Sequence, residues 1–364
     1  MVLGFLGLAA MKLACGSPVP ARPASTPPVA TAPVRAPWLG LNYNSSSETG
    51  HLRDFAARRI VYDRDGKLET GDGHTPQNSP RLASGLRTAA LAGMVPDVDV
   101  NPSGGPSGCS GDPNGSTRCL PTSQTDIQSY VQGFVHTATA ILDAYPGKTV
   151  LFEPMNEPWN WGSPPGTSSG RMAASEYAAI LAQLLPRATA AKIPLSDIYV
   201  PATGMLSDGT SWVPDLYAAQ PCLKPGPGSC GPILGWNMHP YGLPYSLSEG
   251  IGLLPVVRAG MLSGQNNIVV SEIGFCAQDV SGGRGCSANR SDIDGLSTQV
   301  AAWLAKTLDQ ALVMHRAGWL KALLIWDRAG DGWAMQNRDG SLTAQGRVLD
   351  LFAGGRRGSP YRSP

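Results

Sequence analysis

The 364-residue sequence is poor in several things that function often needs. Only 15% of its residues are charged, and 28 Lys and Arg nearly balance 27 Asp and Glu. Without a basic excess there is no electrostatic footprint for nucleic acid or an anionic membrane, and a neutral, polar partner fits better. Five histidines, none in His-x-x-x-His spacing, argue against a zinc or copper site, and Asp97-Val98-Asp99 lacks the ligand density of a calcium loop. No Gly-x-Ser-x-Gly follows an apolar run as a nucleophile elbow would, and no glycine-rich phosphate loop follows the first run. No cofactor and no metal are therefore expected. No stretch has the roughly twenty uninterrupted apolar residues of a membrane span.

What is present is an apolar majority large enough for a sizeable core, at 42% hydrophobic residues. Val2–Met11 reads as the apolar region of a signal segment, too short to cross a bilayer. Cys15, in Leu13-Ala14-Cys15-Gly16-Ser17, sits where a bacterial lipoprotein would be processed, so lipid attachment there and cleavage nearby are both open. The other six of the seven cysteines fall into close pairs, Cys109/Cys119, Cys222/Cys230 and Cys276/Cys286, each around a Gly, Pro or Ser-rich stretch. That spacing favours local disulfides and an oxidising, extracytoplasmic compartment, secreted or cell-surface. Residues 1–16 then form the signal or lipoprotein-like segment. Residues 17–37, with seven prolines and no acid, form a solvated linker, and a single domain occupies 38–364. A monomer is expected.

From Trp38 onward, short apolar runs alternate with helical patterns. The runs are Leu39–Tyr43, Arg59–Tyr62, Val95–Val100, Thr149–Pro154, Ile198–Ala202, Ile233–Met238, Ile268–Ser271 and Ala322–Trp326. Several are almost continuously apolar, as strands buried on both faces of a parallel sheet must be. Between them, Ile127, Tyr130, Phe134, Ala138, Ile141 and Tyr145 share one helical face. Trp303, Leu304, Leu308, Ala311 and Leu312 do the same, as do Leu82, Leu86, Ala89 and Ala90. Eight such units give the α/β class and a (β/α)8 TIM barrel, with an open doubly wound sheet as the alternative. In a barrel the C-terminal strand ends build the active site. Those ends carry Asn42 and Asn44, Asp63 and Arg64, Asp99 and Asn101, Asn156 and Glu157, His239 and Tyr241, Glu272, and Trp326.

Two of the seven glutamates lie just past apolar runs, Glu157 and Glu272. Glycoside cleavage needs two carboxyl groups flanking the anomeric carbon, one protonated to assist the leaving oxygen and one ionised. Glu153, deeper in the fourth run, is expected to make a structural hydrogen bond within the barrel. Trp303 and Trp319 are expected to pack in the core or against helices.

The pattern Glu153-Pro154-Met155-Asn156-Glu157-Pro158, the seventh-run Glu272, His239-Pro240-Tyr241 on the sixth run and Trp326 on the eighth occur in the order seen in clan A glycoside hydrolases. Over roughly residues 38 to 355 the chain resembles that clan, which includes cellulases and mannanases, and in particular glycoside hydrolase family five or a related family. The resemblance implies Glu157 as acid/base and Glu272 as nucleophile of a retaining double displacement. Their carboxyl groups would then lie about 5–5.5 Å apart. It implies that Asn156 bonds the sugar 2-hydroxyl, Tyr241 bonds Glu272, His239 binds near the acid/base and Trp326 stacks under a sugar. Arg64 is the best match to the clan's second-strand arginine, with Arg59 as the alternative. Trp159, Trp161 and Trp333 supply flat apolar faces for further subsites, and aromatics on more than one loop suggest endo-action on a β-linked oligo- or polysaccharide. A transglycosylase using the same glutamates and a non-catalytic carbohydrate-binding cell-surface protein are the alternative functions.

Overall fold

The computed structural model describes residues 36–43, 60–65, 70–71, 75–102, 121, 123–156, 158, 174–203, 212–223, 235–239, 268–274, 293–327, 335 and 341–353. All of them belong to one compact unit, Pro33–Pro364. The expected signal segment, Cys15, most of the Pro-rich linker and five of the six paired cysteines lie outside the described residues. Cys222, the sixth, is disulfide-bonded. Ala36, near the end of the expected linker, is already buried, and its carbonyl accepts a bond from Leu39 N at 3.0 Å.

Among the described residues, nine strands alternate with six α-helices. The strands are β1 (Leu39–Tyr43), β2 (Tyr62–Asp65), β3 (Thr70–Gly71), β4 (Val95–Asn101), β5 (Leu151–Pro154), β6 (Tyr199–Thr203), β7 (Gly235–Met238), β8 (Ile268–Ile273) and β9 (Leu320–Asp327). The helices are α1 (Pro80–Ala92), α2 (Gln124–Ala144), α3 (Ala174–Ala190), α4 (Trp212–Ala219), α5 (Ile293–Arg316) and α6 (Ala344–Ala353). Among the described residues every strand pairing is parallel. β3 is a two-residue addition beside β4. The other eight strands run round in chain order, with β1 meeting β9 and a parallel bridge between Phe152 and Ile198 linking β5 to β6. The result is a (β/α)8 barrel.

Local sequence explains the element ends. Ser79 caps α1 by accepting from Leu82 N, Pro80 occupies its first turn, and Gly93 ends it in the left-handed conformation (φ 75°). Ser123 caps α2 by accepting from Asp126 N at 3.1 Å. The strands bury both faces. Val98, Val100, Phe152, Val200, Val270, Ile273, Leu323 and Ile325 join helix residues such as Phe134, Tyr177 and Leu181 in one outer core. Tyr62, Leu151, Tyr199, Val269, Ala322 and Leu324 form the small apolar floor inside the barrel. Each large side chain fully buried contributes about 1.5–3 kcal/mol, so the far larger outer layer dominates stability. The interior above the floor is thereby free to be polar. Gly40 belongs to the floor: a Cβ there would lie 2.6 Å from Tyr62 Cβ and 2.9 Å from Leu324 Cγ.

The second strand departs from expectation. The apolar run Arg59–Tyr62 suggests a strand there, but β2 is Tyr62–Asp65, three charged residues after one tyrosine. Tyr62 and Arg64 share the inward face, and the barrel interior at that height is a network of charges rather than a core. Charge does not stop a strand that meets its partners inside the sheet.

Candidate active site

Strand alternation delivers most of the interior polar groups. β2 turns Arg64 inward, β4 turns Asp97 and Asp99 inward, and β7 turns Asn237 and, just past its end, His239 inward. All five side chains are buried.

Two strands break their alternation, and both carry candidate site residues. Met155, the first residue after β5, adopts φ 71°. A non-glycine residue rarely takes this left-handed conformation, which costs on the order of 1 kcal/mol. Its effect is to reverse the side-chain phase. Met155 packs into the outer core, and Asn156 turns back to the face already occupied by Glu153. On β8, Val270 pairs with Leu323 and Ile273 with Ile325, so β8 holds one more residue than β9 over that interval. This bulge lets both Ser271 and Glu272 face inward.

Arg64 is where these groups meet. Its Nε donates to Asp99 Oδ1 at 3.1 Å and its Nη2 to Asp99 Oδ2 at 2.6 Å. Nη2 also reaches Glu153 Oε2 at 2.7 Å and Asn156 Oδ1 at 3.1 Å. Nη1 donates to Glu272 Oε1 at 2.5 Å. A planar, permanently charged fork suits this task, because it holds several acceptors in one plane. Burial works against the Arg64 charge, but the carboxyl groups of Asp99, Glu153 and Glu272 outweigh it and raise its pKa further.

A second set of bonds ties β5 to β7 and β8. Asn237 Oδ1 accepts from Ser271 N at 3.1 Å, which fixes the amide orientation. Its Nδ2 then donates to Glu153 Oε1 at 2.6 Å and faces His239 Nε2 at 3.0 Å. An N–H pointing at Nε2 makes that nitrogen an acceptor and puts the ring proton on Nδ1. Nδ1 lies 3.8 Å from Glu272 Oε2. Ser271 Oγ lies 2.9 Å from the same Nε2, and Asn42 Nδ2 donates to the Ser271 carbonyl at 3.1 Å. Tyrosines from the helix layer hold the carbonyls at the tops of β4 and β5: Tyr130 bonds Val100 O at 2.7 Å and Tyr177 bonds Pro154 O at 2.6 Å.

The site is graded in depth. Asp97 and Glu153 are wholly buried, and burial pushes each carboxyl up to about 7 against the opposing pull of Arg64. Burial likewise holds Asp99 well above the usual carboxylate range. Asn156 and Glu272 lie nearer the mouth, with 7% and 6% of their surface exposed. Trp326, at the top of β9, is half-buried and sits in register with Asn42.

Of the residues singled out in the sequence, the structure brings Arg64, Asn156, His239 and Glu272 together, with Trp326 at the same end of the barrel. Glu157, Tyr241, Trp159, Trp161 and Trp333 lie outside the described residues. Sequence reading did not single out Asp97, Tyr199, Asn237 or Ser271. A signal for the first was available, since Asp97, Asp99 and Asn101 alternate with Pro96, Val98 and Val100. In a barrel strand that pattern means a polar interior face. Among the described residues, no group of three or more His, Cys, Asp or Glu is arranged to hold a metal ion.

No protein-family model and no curated protein matches the sequence. Solved structures do. A glycoside hydrolase family 5 enzyme from Prevotella bryantii B14 aligns with a TM-score of 0.57 at 13% identity, over 89% of this chain and 99% of that one. An endo-beta-1,4-glucanase from Xanthomonas axonopodis pv. citri aligns with a TM-score of 0.55 at 14% identity, over 87% and 98%. A GH5_18 protein from Bifidobacterium longum subsp. longum gives 0.54 at 13%, over 90% and 81%. At such identities the likeness is one of fold. The chain has the barrel on which these glycoside hydrolases are built, and the case for its chemistry rests on its own residues.

Proposed function

We propose that the protein is a retaining glycoside hydrolase that cleaves a β-linked oligo- or polysaccharide by double displacement. Glu272 is the nucleophile and Glu157 the acid/base. The observation that carries this reading is the bond from Arg64 to Glu272. A buried guanidinium donates to one oxygen of this carboxyl group at 2.5 Å and fixes it beside Asn156 near the mouth of the barrel. The other oxygen, Oε2, lies 3.8 Å from His239 Nδ1.

The remaining roles follow from position. Asn156, held by Arg64 beside Glu272, donates from its amide to the sugar 2-hydroxyl, a contact that strengthens as positive charge develops on the ring. Glu157 follows Asn156 directly and lends its proton to the leaving oxygen, then takes one from water. His239 braces Glu272, as Tyr241 does in this reading. Trp326 offers a stacking face, and Trp159, Trp161 and Trp333 extend the cleft for an endo-acting enzyme. The enzyme works outside the cytoplasm as a monomer, free or tethered through a lipid on Cys15, with its cysteines in local disulfides.

Hydrolysis of aryl β-glycosides and a β-glucan panel tests the reading, with NMR of the first-formed anomer to test retention. Glu272→Gln and Glu157→Gln should each lower kcat by about a thousandfold or more. Activity unchanged in both variants would sink the assignment. Transfer to an added sugar acceptor in place of water would make the protein a transglycosylase. Binding of glycans without turnover would make it a carbohydrate-binding protein.

A further inference from the structure

Beneath Arg64, proton counting at Tyr199 gives a result that the glycosidase reading does not need. The Tyr199 hydroxyl oxygen lies 2.7 Å and 2.8 Å from the two oxygens of Asp97 and 3.1 Å from Glu153 Oε2. A phenol has one proton, yet it meets two carboxyl groups. Were both ionised, one contact would set bare lone pairs against each other in a fully buried site.

The partners of each group decide which one is protonated. Glu153 receives an N–H on both oxygens, from Asn237 at Oε1 and from the Arg64 guanidinium at Oε2. That is the environment of a carboxylate. Asp97 has no such support. Its nearest cation contact, Arg64 Nε, is 3.9 Å away, beyond hydrogen-bond reach. Among the described residues, the Tyr199 hydroxyl is the one group in hydrogen-bond range of either Asp97 oxygen.

We propose that Asp97 is a neutral carboxylic acid that donates to Tyr199, which donates in turn to the Glu153 carboxylate, making Asp97 a positioning residue for the Arg64 cluster. One proton then lies between Asp97 and Tyr199 and one between Tyr199 and Glu153. The arrangement removes one negative charge from the barrel interior, so Asp97 does not compete for Arg64, which keeps its hold on Glu272. It also locks Glu153, which holds Asn237 and through it Ser271 and His239. Burial raises Asp97 and Glu153 alike to about 7, and the hydrogen-bond geometry puts the proton on Asp97. The groups facing Asp97 are Tyr62 and Arg64 from β2, Asp99 on its own strand, Glu153 from β5, Tyr199 from β6 and His239 from β7. Keeping a carboxylic acid neutral so that it can donate a hydrogen bond is a known use of an apolar site.

The protonation state stands apart from the glycosidase reading, whereas its consequence for Glu272 rests on it. The test therefore has two arms on the full chain. Infrared difference spectra, wild type minus Asp97→Asn at about pH 6, should show the carbonyl stretch of a neutral carboxyl group that shifts in heavy water. Tyr199→Phe should move that band to the frequency of a carboxyl group lacking its acceptor, and it serves alone if Asp97→Asn does not fold. A spectrum without the band overturns the proposal. So does a band that survives Asp97→Asn and disappears in Glu153→Gln, or one that Tyr199→Phe leaves unmoved. In the second arm, Asp97→Asn still has an N–H to offer Tyr199 and should keep at least about tenfold more kcat than Asp97→Ala. Equal losses in the two variants would overturn the positioning role. If no glycoside is turned over at all, the infrared arm still gives its answer.

Discussion

Arg64 Nη1 meets Glu272 Oε1 at 2.5 Å while the same guanidinium holds Asp99 and Glu153. One cation from β2 thus organises carboxyl groups from β4, β5 and β8, and the barrel mouth is built around it.

Removing that cation leaves buried carboxyl groups without compensation. Arg64→Met, close in length and apolar, should therefore destabilise the protein by about 3–5 kcal/mol, the range for breaking a buried pair from one side. Urea unfolding followed by tryptophan fluorescence measures it. A loss below about 1 kcal/mol would mean that the cluster neutralises itself by taking up protons.

Stability should depend on pH in a direction set by the deep carboxyls. Burial pushes the coupled pair Asp97 and Glu153 up to about 7, well above their ordinary values of 3.8 and 4.5, and the pair keeps a proton through that range. The folded state therefore binds more protons than the unfolded state across that interval, and the contribution of this cluster is lost as pH rises from about 4 to about 7. Asp97→Asn removes the Asp97 share. The urea midpoint of the variant should gain on the wild type through that window and run parallel to it above. A variant midpoint that fell relative to the wild type with rising pH would contradict the direction of the shift.

Gly40 has no room for a side chain. A methyl group there meets Tyr62 Cβ at 2.6 Å and the Tyr62 carbonyl oxygen at 2.9 Å. Gly40→Ala must separate β1 from β2 or tilt the floor of the barrel, at a cost of about 1–3 kcal/mol. Calorimetry should show this as a lower Tm, with a greater loss than at an exposed helical site such as Ser84→Ala, where little should change.

The barrel was legible because its strands are buried on both faces and so stand out as apolar runs. Leu39–Tyr43 coincides with β1, and Ile268 begins both the run and β8. Legibility failed where the interior is polar. β2 is charged in sequence, so the apolar run ends at Tyr62, and Arg64 is legible as a residue at a strand end but not as one within the strand. Asp97 was passed over because an acidic residue in a strand has no obvious partner until Tyr199, 102 residues away, is folded against it. Glu153 was correctly expected to hydrogen-bond within the barrel, but its role in joining Arg64 to Asn237 depends on three strands meeting.

Met155 and the β8 bulge have a consequence for how this barrel can change. Along an undisturbed strand, neighbouring residues serve opposite masters, one the core and one the cavity. At these two points a single residue out of step puts two functional positions on the same side. Regular alternation through either place, with no residue lost, would turn Asn156 or Glu272 away from Arg64. The irregularities therefore act as frame markers: strand length elsewhere sets how large the barrel is, whereas these two offsets set what its mouth presents.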